Sequence, residues 1–222
     1  MNLPSEIRLL IYSYLVPAGR VGAFASKRVL DGNGRCPALL RVNRQIYSEL
    51  LSEWYGSAWY GAHLDLTGFH LHGCFYSIHK PIPSTLQYIR QLDLFILLIL
   101  PSHYVSKKAP LGLYELTRFL QRCFESQRVN RLQRLHLRLA VTQEFVNFYT
   151  GKQAALRKDL AQALAPLRNL RGLLETKLKV VSLASSFRIG SVARQNDKPF
   201  EEVHRGILDF WKLLAKQMSS SN

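Results

Sequence analysis

Apolar residues recur at helical spacing in two stretches near the start of the chain, LPSEIRLLIYSYLV (Leu3–Val16) and ALLRVNRQIYSELLSEWY (Ala38–Tyr55). In the first, Ile7, Leu10, Ile11, Tyr14 and Leu15 fall at i, i+3, i+4, i+7 and i+8, which predicts a single apolar stripe. Pro4 suits a first helical turn, and Ser5 and Glu6 complement the positive end of the helix dipole. In the second, Leu39, Val42, Ile46, Tyr47, Leu50 and Trp54 make the stripe, with Arg41, Gln45, Ser48 and Ser52 opposite. Asn43 falls inside the apolar arc, where burial would oblige it to bond to backbone of the neighbouring helix or of the segment between the two. Helices this short are marginal alone in water, so the two are expected to pack on each other or on the segments after them.

Beyond them the periodicity changes to two. HLDLTGFHLHGCFYSI (His63–Ile78) alternates as half-buried strands do, and Gly68 and Gly73 mark turns or bulges, so a pair of short antiparallel strands is expected. A degenerate repeat then appears: LQYIRQLDL (Leu86–Leu94), VNRLQRLHL (Val129–Leu137) and LRNLRGLLE (Leu167–Glu175). Leu92, Leu135 and Leu173 would open equivalent strands about 40 residues apart, the third running from about Thr176 to Leu183. Amphipathic helices fit between them, one on Leu113, Leu116, Leu120 and Phe124 and one on Leu156, Leu160 and Leu164. A last helix from Phe200 to Met218 would turn Phe200, Val203, Ile207, Phe210 and Leu214 inward. Strands and helices alternating at this spacing imply βα units and a parallel sheet. The apolar run Leu94–Leu100 predicts a strand covered on both faces. The expected architecture is leucine-rich-repeat-like or a small open α/β layer, with the terminal helices as caps.

The two N-terminal stretches together resemble the opening module of the fungal F-box-like family, which runs LP-x-E-I-R-x-x-I-Y-x-x-L and later L-L-x-V-x-R-Q-I-Y-x-E with a following aromatic. The matching residues are Leu3, Pro4, Glu6, Ile7, Arg8, Ile11, Tyr12 and Leu15, then Leu39, Leu40, Val42, Arg44, Gln45, Ile46, Tyr47, Glu49 and Tyr55. The likeness covers about a quarter of the chain firmly and extends loosely through Leu86–Val141, where family members carry an I-R-x-L-x-L strand. Together with the repeat, it leads to the expectation of an α+β protein: an F-box-like helical module over residues 1–57, implied by the resemblance, then from the repeat a leucine-rich βα-repeat-like domain over 58–218 with a C-terminal capping helix, and a disordered tail at 219–222. It also implies docking on the Skp-type adaptor of a cullin-type ubiquitin ligase through Leu3, Pro4, Ile7, Ile11, Leu15, Val42, Arg44 and Ile46, with an unknown client bound elsewhere. The Gly-rich basic insert at 17–37 departs from the family, whose helices are joined by a shorter stretch.

Composition narrows the classes. The chain has 222 residues, 47% of them hydrophobic, with eleven Phe, ten Tyr and three Trp, enough to bury a proper core. No apolar run approaches the roughly 20 residues of a membrane-spanning helix, and no secretory leader is expected. Three scattered cysteines form no disulfide framework, which fits the cytoplasm or nucleus. A formal charge of +15 favours polyanions. The densest basic stretch contains Arg118 and Arg122 on one helix face and Arg134 and Arg138 on a strand, a candidate polyanion patch that makes nucleic-acid binding the alternative function. A solvated surface is the simpler account of these charges, since no basic–aromatic alternation accompanies them.

Catalytic motifs for nucleotide phosphates, zinc proteases, serine hydrolases and dinucleotides are absent, and no carboxylate pair stands in an apolar setting, so neither an enzyme, a cofactor nor a small-molecule substrate is expected. His70, His72 and Cys74 would share one face of a strand, with His63, Asp65 or His79 as a fourth group. First and third positions would stand about 13 Å apart, too wide for one tetrahedral ion unless Gly73 bends the chain. The three would then be two exposed imidazoles and a buried thiol. Trp54, Trp59 and Trp211 read as core or cap residues.

Overall fold

Strands with leucine at every second position need one covering layer, and that requirement organises this molecule. A computed structural model of the chain describes residues 3–16, 19–23, 43–64, 68–71, 73–77, 84–98, 111–124, 131–170, 172–183 and 198–219. In chain order the elements are α1 (Ser5–Ser13), β1 (Arg20–Val21), α2 (Arg44–Ser57), β2 (Trp59–Leu64), β3 (Gly68–Leu71), β4 (Cys74–Ser77), β5 (Gln91–Leu98), α3 (Leu111–Phe124), β6 (Arg134–Val141), α4 (Gln143–Tyr149), α5 (Gln153–Ala163), β7 (Glu175–Ser182) and α6 (Lys198–Ser219). Short 3-10 turns at Ser84–Tyr88 and Ala165–Asn169 lead into β5 and β7. The protein is α+β, built on one mixed sheet.

The described strands lie in the order β4-β3-β2-β5-β6-β7, with β1 beside the start of β2. Strands β2, β3 and β4 form an antiparallel meander, turned at Gly73, whose φ of 70° only glycine adopts freely. Strands β2, β5, β6 and β7 run parallel. The expected antiparallel pair is therefore β3–β4. Glycine at position 61 has a steric cause, because a Cβ there would stand 2.9 Å from the backbone nitrogen of Ala23.

Side chains alternate across this sheet. Tyr60, Ala62 and Leu64 of β2, Leu92, Leu94, Ile96 and Leu98 of β5, and Leu135, Leu137, Leu139 and Val141 of β6 are all buried. Helices cover that face: Phe119 of α3 packs its ring 5.1 Å from Phe69, the cross-strand partner of Leu64. Leu116, Leu120, Leu156, Leu160 and Leu164 are buried as the spacing predicts. So are Val203, Ile207, Phe210 and Leu214 of α6, joined by Trp211 and Met218, while Phe200 is partly buried. Leu113 and residues 220–222 lie outside the described side chains. One apolar cluster runs from Tyr12 through Ile46, Leu50 and Trp54 to Met218, so α2 and the sheet share a core.

Four expectations need correction. First, the described helices cover one face of β5, and on the other Asp93 is buried while Phe95 and Leu97 are half-buried (residues 99–100 lie outside the description). Second, the third strand, Glu175–Ser182, lies within one residue of the expected Thr176–Leu183, but Leu135 pairs with Thr176, so Leu173 is not the equivalent of Leu92 and Leu135. Leu170 and Leu173 are buried in the approach to β7 instead. Third, Asn43 is exposed and caps α2, its Oδ1 accepting from the Ile46 N–H at 2.8 Å, because an amide at the first position of a helix satisfies an orphan donor. Fourth, a further short helix, α4, comes after β6, capped by Thr142, whose Oγ1 accepts from Phe145 N at 3.3 Å.

Truncating Leu137, wholly buried between β5 and β7, is expected to cost about 3 kcal/mol in a urea unfolding experiment. Leu174→Ala, at a side chain 74% exposed, should stay within about 0.5 kcal/mol.

Candidate functional site

Two surfaces carry chemistry that the core does not need. The first is α1. Its inward residues are Arg8 and Tyr12, one turn apart, with Val16 partly buried against the core a turn later. Arg8 grips Glu49 of α2 through Nε to Oε2 at 2.9 Å and Nη2 to Oε1 at 2.7 Å. The Tyr12 hydroxyl donates to Glu49 Oε2 at 3.3 Å, and Gln45 Nε2 donates to Oε1 at 3.0 Å. Arg8 also reaches back to the Leu3 carbonyl. A forked guanidinium–carboxylate pair fixes both distance and angle, so α1 is held by polar geometry. The same donors, Arg8 first and Gln45 next, lower the Glu49 carboxyl from its usual range to about 2.

Because Arg8 and Tyr12 face inward, the predicted apolar stripe faces out. Ile7, Leu10, Ile11, Tyr14 and Leu15 are exposed, Leu10 by 55% and Tyr14 by 81%. Leu3 and Leu9 are exposed as well, as is Tyr47 on α2. Among the described residues nothing covers this patch. Of the sequence-proposed docking residues, Leu3, Pro4, Ile7, Ile11, Leu15 and Arg44 are at the surface. Ile46 is buried in the shared core and so cannot contact a partner, and Val42 lies outside the description.

The second surface is the sheet face away from the helices. Asp93 of β5 is the buried charge of this structure's described part, 5% exposed, and two guanidiniums answer it. Arg138 Nε stands 2.8 Å from Oδ1, and Arg20 Nη2 3.6 Å from Oδ2. Arg20 lies over the Trp59 ring, and Arg138 over Phe95, with the guanidinium carbons 5.9 and 5.7 Å from the ring centres. His136 packs on Trp59 with centroids 4.0 Å apart, and its Nε2 is 3.2 Å from Glu175. Lys177, then His136, hold the Glu175 carboxyl below its usual range. Arg20, Trp59, His63, Asp93, Phe95 and Arg138 line a shallow hollow of about 330 Å³. It offers cations and ring faces together, a combination suited to planar or anionic groups. A second hollow between α5 and α6 is lined by charges of both signs, among them Arg157, Lys198, Glu201 and Asp209.

The polyanion patch divides. Arg134 and Arg138 of β6 are on this open face, whereas Arg118 and Arg122 sit on α3, in the layer covering the other side. Trp59 is not a core residue but part of the hollow, since its register on β2 turns it away from the helices; Trp54 and Trp211 are core. His70 and Cys74 point to opposite faces, because His70 pairs with Phe75 and Leu71 with Cys74 across the hairpin. The strand ends at Leu71, which removes the assumed straight H-x-H-x-C edge; His72, Asp65 and His79 lie outside the description. Among the described residues no three His, Cys, Asp or Glu converge as metal ligands, and no helix is long and apolar enough to cross a membrane. No family model, curated protein or solved structure matches this chain.

A carboxyl whose pKa falls on folding stabilises the folded state above its ordinary value of 4.5, and that contribution drains away as pH falls toward about 2. Hydrogen-exchange protection of the α1 amides should therefore drop across this window. In Glu49→Gln it should be low already at neutral pH and change little on acidification.

Proposed function

We propose that this chain is a non-enzymatic interaction protein whose helices α1 and α2 form an F-box-like module for a Skp-type adaptor of a cullin-type ubiquitin ligase. The sheet part, leucine-rich and βα-alternating, would carry the client. The supporting observation is the outward apolar stripe of α1: Ile7, Leu10, Ile11, Tyr14 and Leu15 exposed together on one helix and flanked by Tyr47. Contiguous apolar exposure of this kind marks an interaction site, since a water-facing helix ordinarily carries its polar side outward. Further support comes from the motif itself. Arg8 and Tyr12 from its first half bond to Glu49 from its second, which gives the spacing of both halves one physical purpose. Burial of Ile46 leaves docking to α1 and to Arg44 and Tyr47 at the start of α2. The cytoplasm or nucleus is the compartment this role requires.

Ile11→Asp and Leu10→Asp place a charge on solvent-facing positions and should leave circular dichroism and thermal unfolding unchanged. Each is expected to weaken adaptor binding about thirtyfold in a pull-down titrated with purified adaptor. Wild-type chain that captures no adaptor, or Asp variants that bind as well as wild type, would remove the ligase reading.

A further inference from the structure

The register of the sheet assembles a row of side chains that no local sequence pattern contains. Phe75 of β4 pairs with His70 of β3, His70 with His63 of β2, His63 with Phe95 of β5, Phe95 with Arg138 of β6, and Arg138 with Lys179 of β7. Cross-strand partners project to the same face, so these six side chains cross the open face in a single line. The contacts are continuous through the first five. Ring centroids are 5.0 Å apart for Phe75–His70, 5.9 Å for His70–His63 and 4.7 Å for His63–Phe95, and Arg138 then lies over Phe95. At about 4.8 Å per strand the row runs about 24 Å. Four rings end in two cations.

The neighbouring rows have the same polarity. His136 and Lys177 continue the row of Asp93, and Arg134 that of Trp59 and Gln91. Arg20, Arg134, Arg138, Lys177 and Lys179 thus face the solvent side against two carboxylates, Asp93 and Glu175. Both carboxylates are already engaged, Asp93 by Arg138 and Arg20, and Glu175 by Lys177, His136 and Arg134. The face is net positive, and its aromatic end keeps Phe75 53% exposed.

We propose that this face is a binding platform for a single-stranded polynucleotide, with bases stacked along the Phe75–Phe95 end and phosphates drawn to Arg138, Lys179 and Lys177. A row of rings ending in the exposed Phe75 suits a ligand with accessible ring faces, and bases present those only when unpaired. The cationic end needs a repeating anion at matching reach, which a strand carries along with its bases. A partner protein would meet an apolar surface broken by five cations. The polyanion site of this protein is therefore the sheet face, and α3 with Arg118 and Arg122 lies outside it.

The test uses the full chain and fluorescence anisotropy with labelled oligouridylate and oligodeoxythymidylate of about twelve nucleotides, beside a duplex of equal length, heparin and free uridine monophosphate. Single strands of either sugar should bind at about 50 mM salt, with log affinity falling linearly in log salt. Phe75→Ala, at an exposed position, should weaken binding about five- to hundredfold with a nearly unchanged salt slope. Lys179→Gln should instead lower affinity and flatten the slope by about one. Arg118→Gln with Arg122→Gln should change neither. The proposal is overturned by no single-strand binding at low salt, by duplex or heparin binding as tightly as the single strands, or by Phe75→Ala binding like wild type. Equal affinity for uridine monophosphate and the oligomer would also overturn it, in favour of a mononucleotide pocket at the Asp93 hollow.

Discussion

Everything distinctive about this molecule comes from a sheet whose two faces were given different partners. Period-two alternation in β2, β5 and β6 sends leucines under the helices and leaves every intervening side chain on the other side. A parallel sheet is usually sandwiched between two helical layers. Here the described helices cover one. The face that the described helices leave open carries water-compatible side chains: Arg134, His136 and Arg138 in β6 and Lys177 and Lys179 in β7 occupy it. Asp93 could not sit at 5% exposure without the guanidiniums beside it, so charge pairing and sheet register require one another.

A related economy governs the N-terminal helices. α1 docks through Arg8, Tyr12 and Val16, a narrow polar-edged face, and so keeps its leucines and isoleucines for the outside. Polar anchoring gives orientation without consuming apolar area. Hydrophobic packing would have done the opposite, burying the stripe and leaving nothing to bind with.

Much of the fold could be read from the residues. The hairpin, the positions of the three parallel strands, and the inward faces of α3, α5 and α6 are all consequences of spacing. The register of β7 was not, because Leu170 and Leu173 imitate the earlier strand openings while packing in the turn before it. The run LFILLIL did not show that the described helices cover only one face, since Phe95 and Leu97 on the other are themselves apolar. The cue lay in the neighbouring strands, RLHLRL in β6 and ETKLKV in β7, each of which carries a polar residue at every second place. For α1, apolar periodicity found the stripe, and the polar motif residues Arg8 and Glu49 fix the side to which it turns. The open-face site was illegible locally because its members, from Arg20 to Lys179, meet only through strand pairing.

Solvent access to that second face is therefore the quantity to measure. Phe75→Cys and Lys179→Cys would be introduced singly and labelled in the native state with a maleimide, the modified sites being located by mass spectrometry. Cys123, 2% exposed and with its thiol pushed up by burial, serves as the internal reference for a covered position. An open face requires labelling at 75 and 179 at nearly the unfolded-chain rate while Cys123 stays protected. Protection of both introduced thiols to the level of Cys123 would mean a second layer covers the sheet, and would contradict the one-sided architecture.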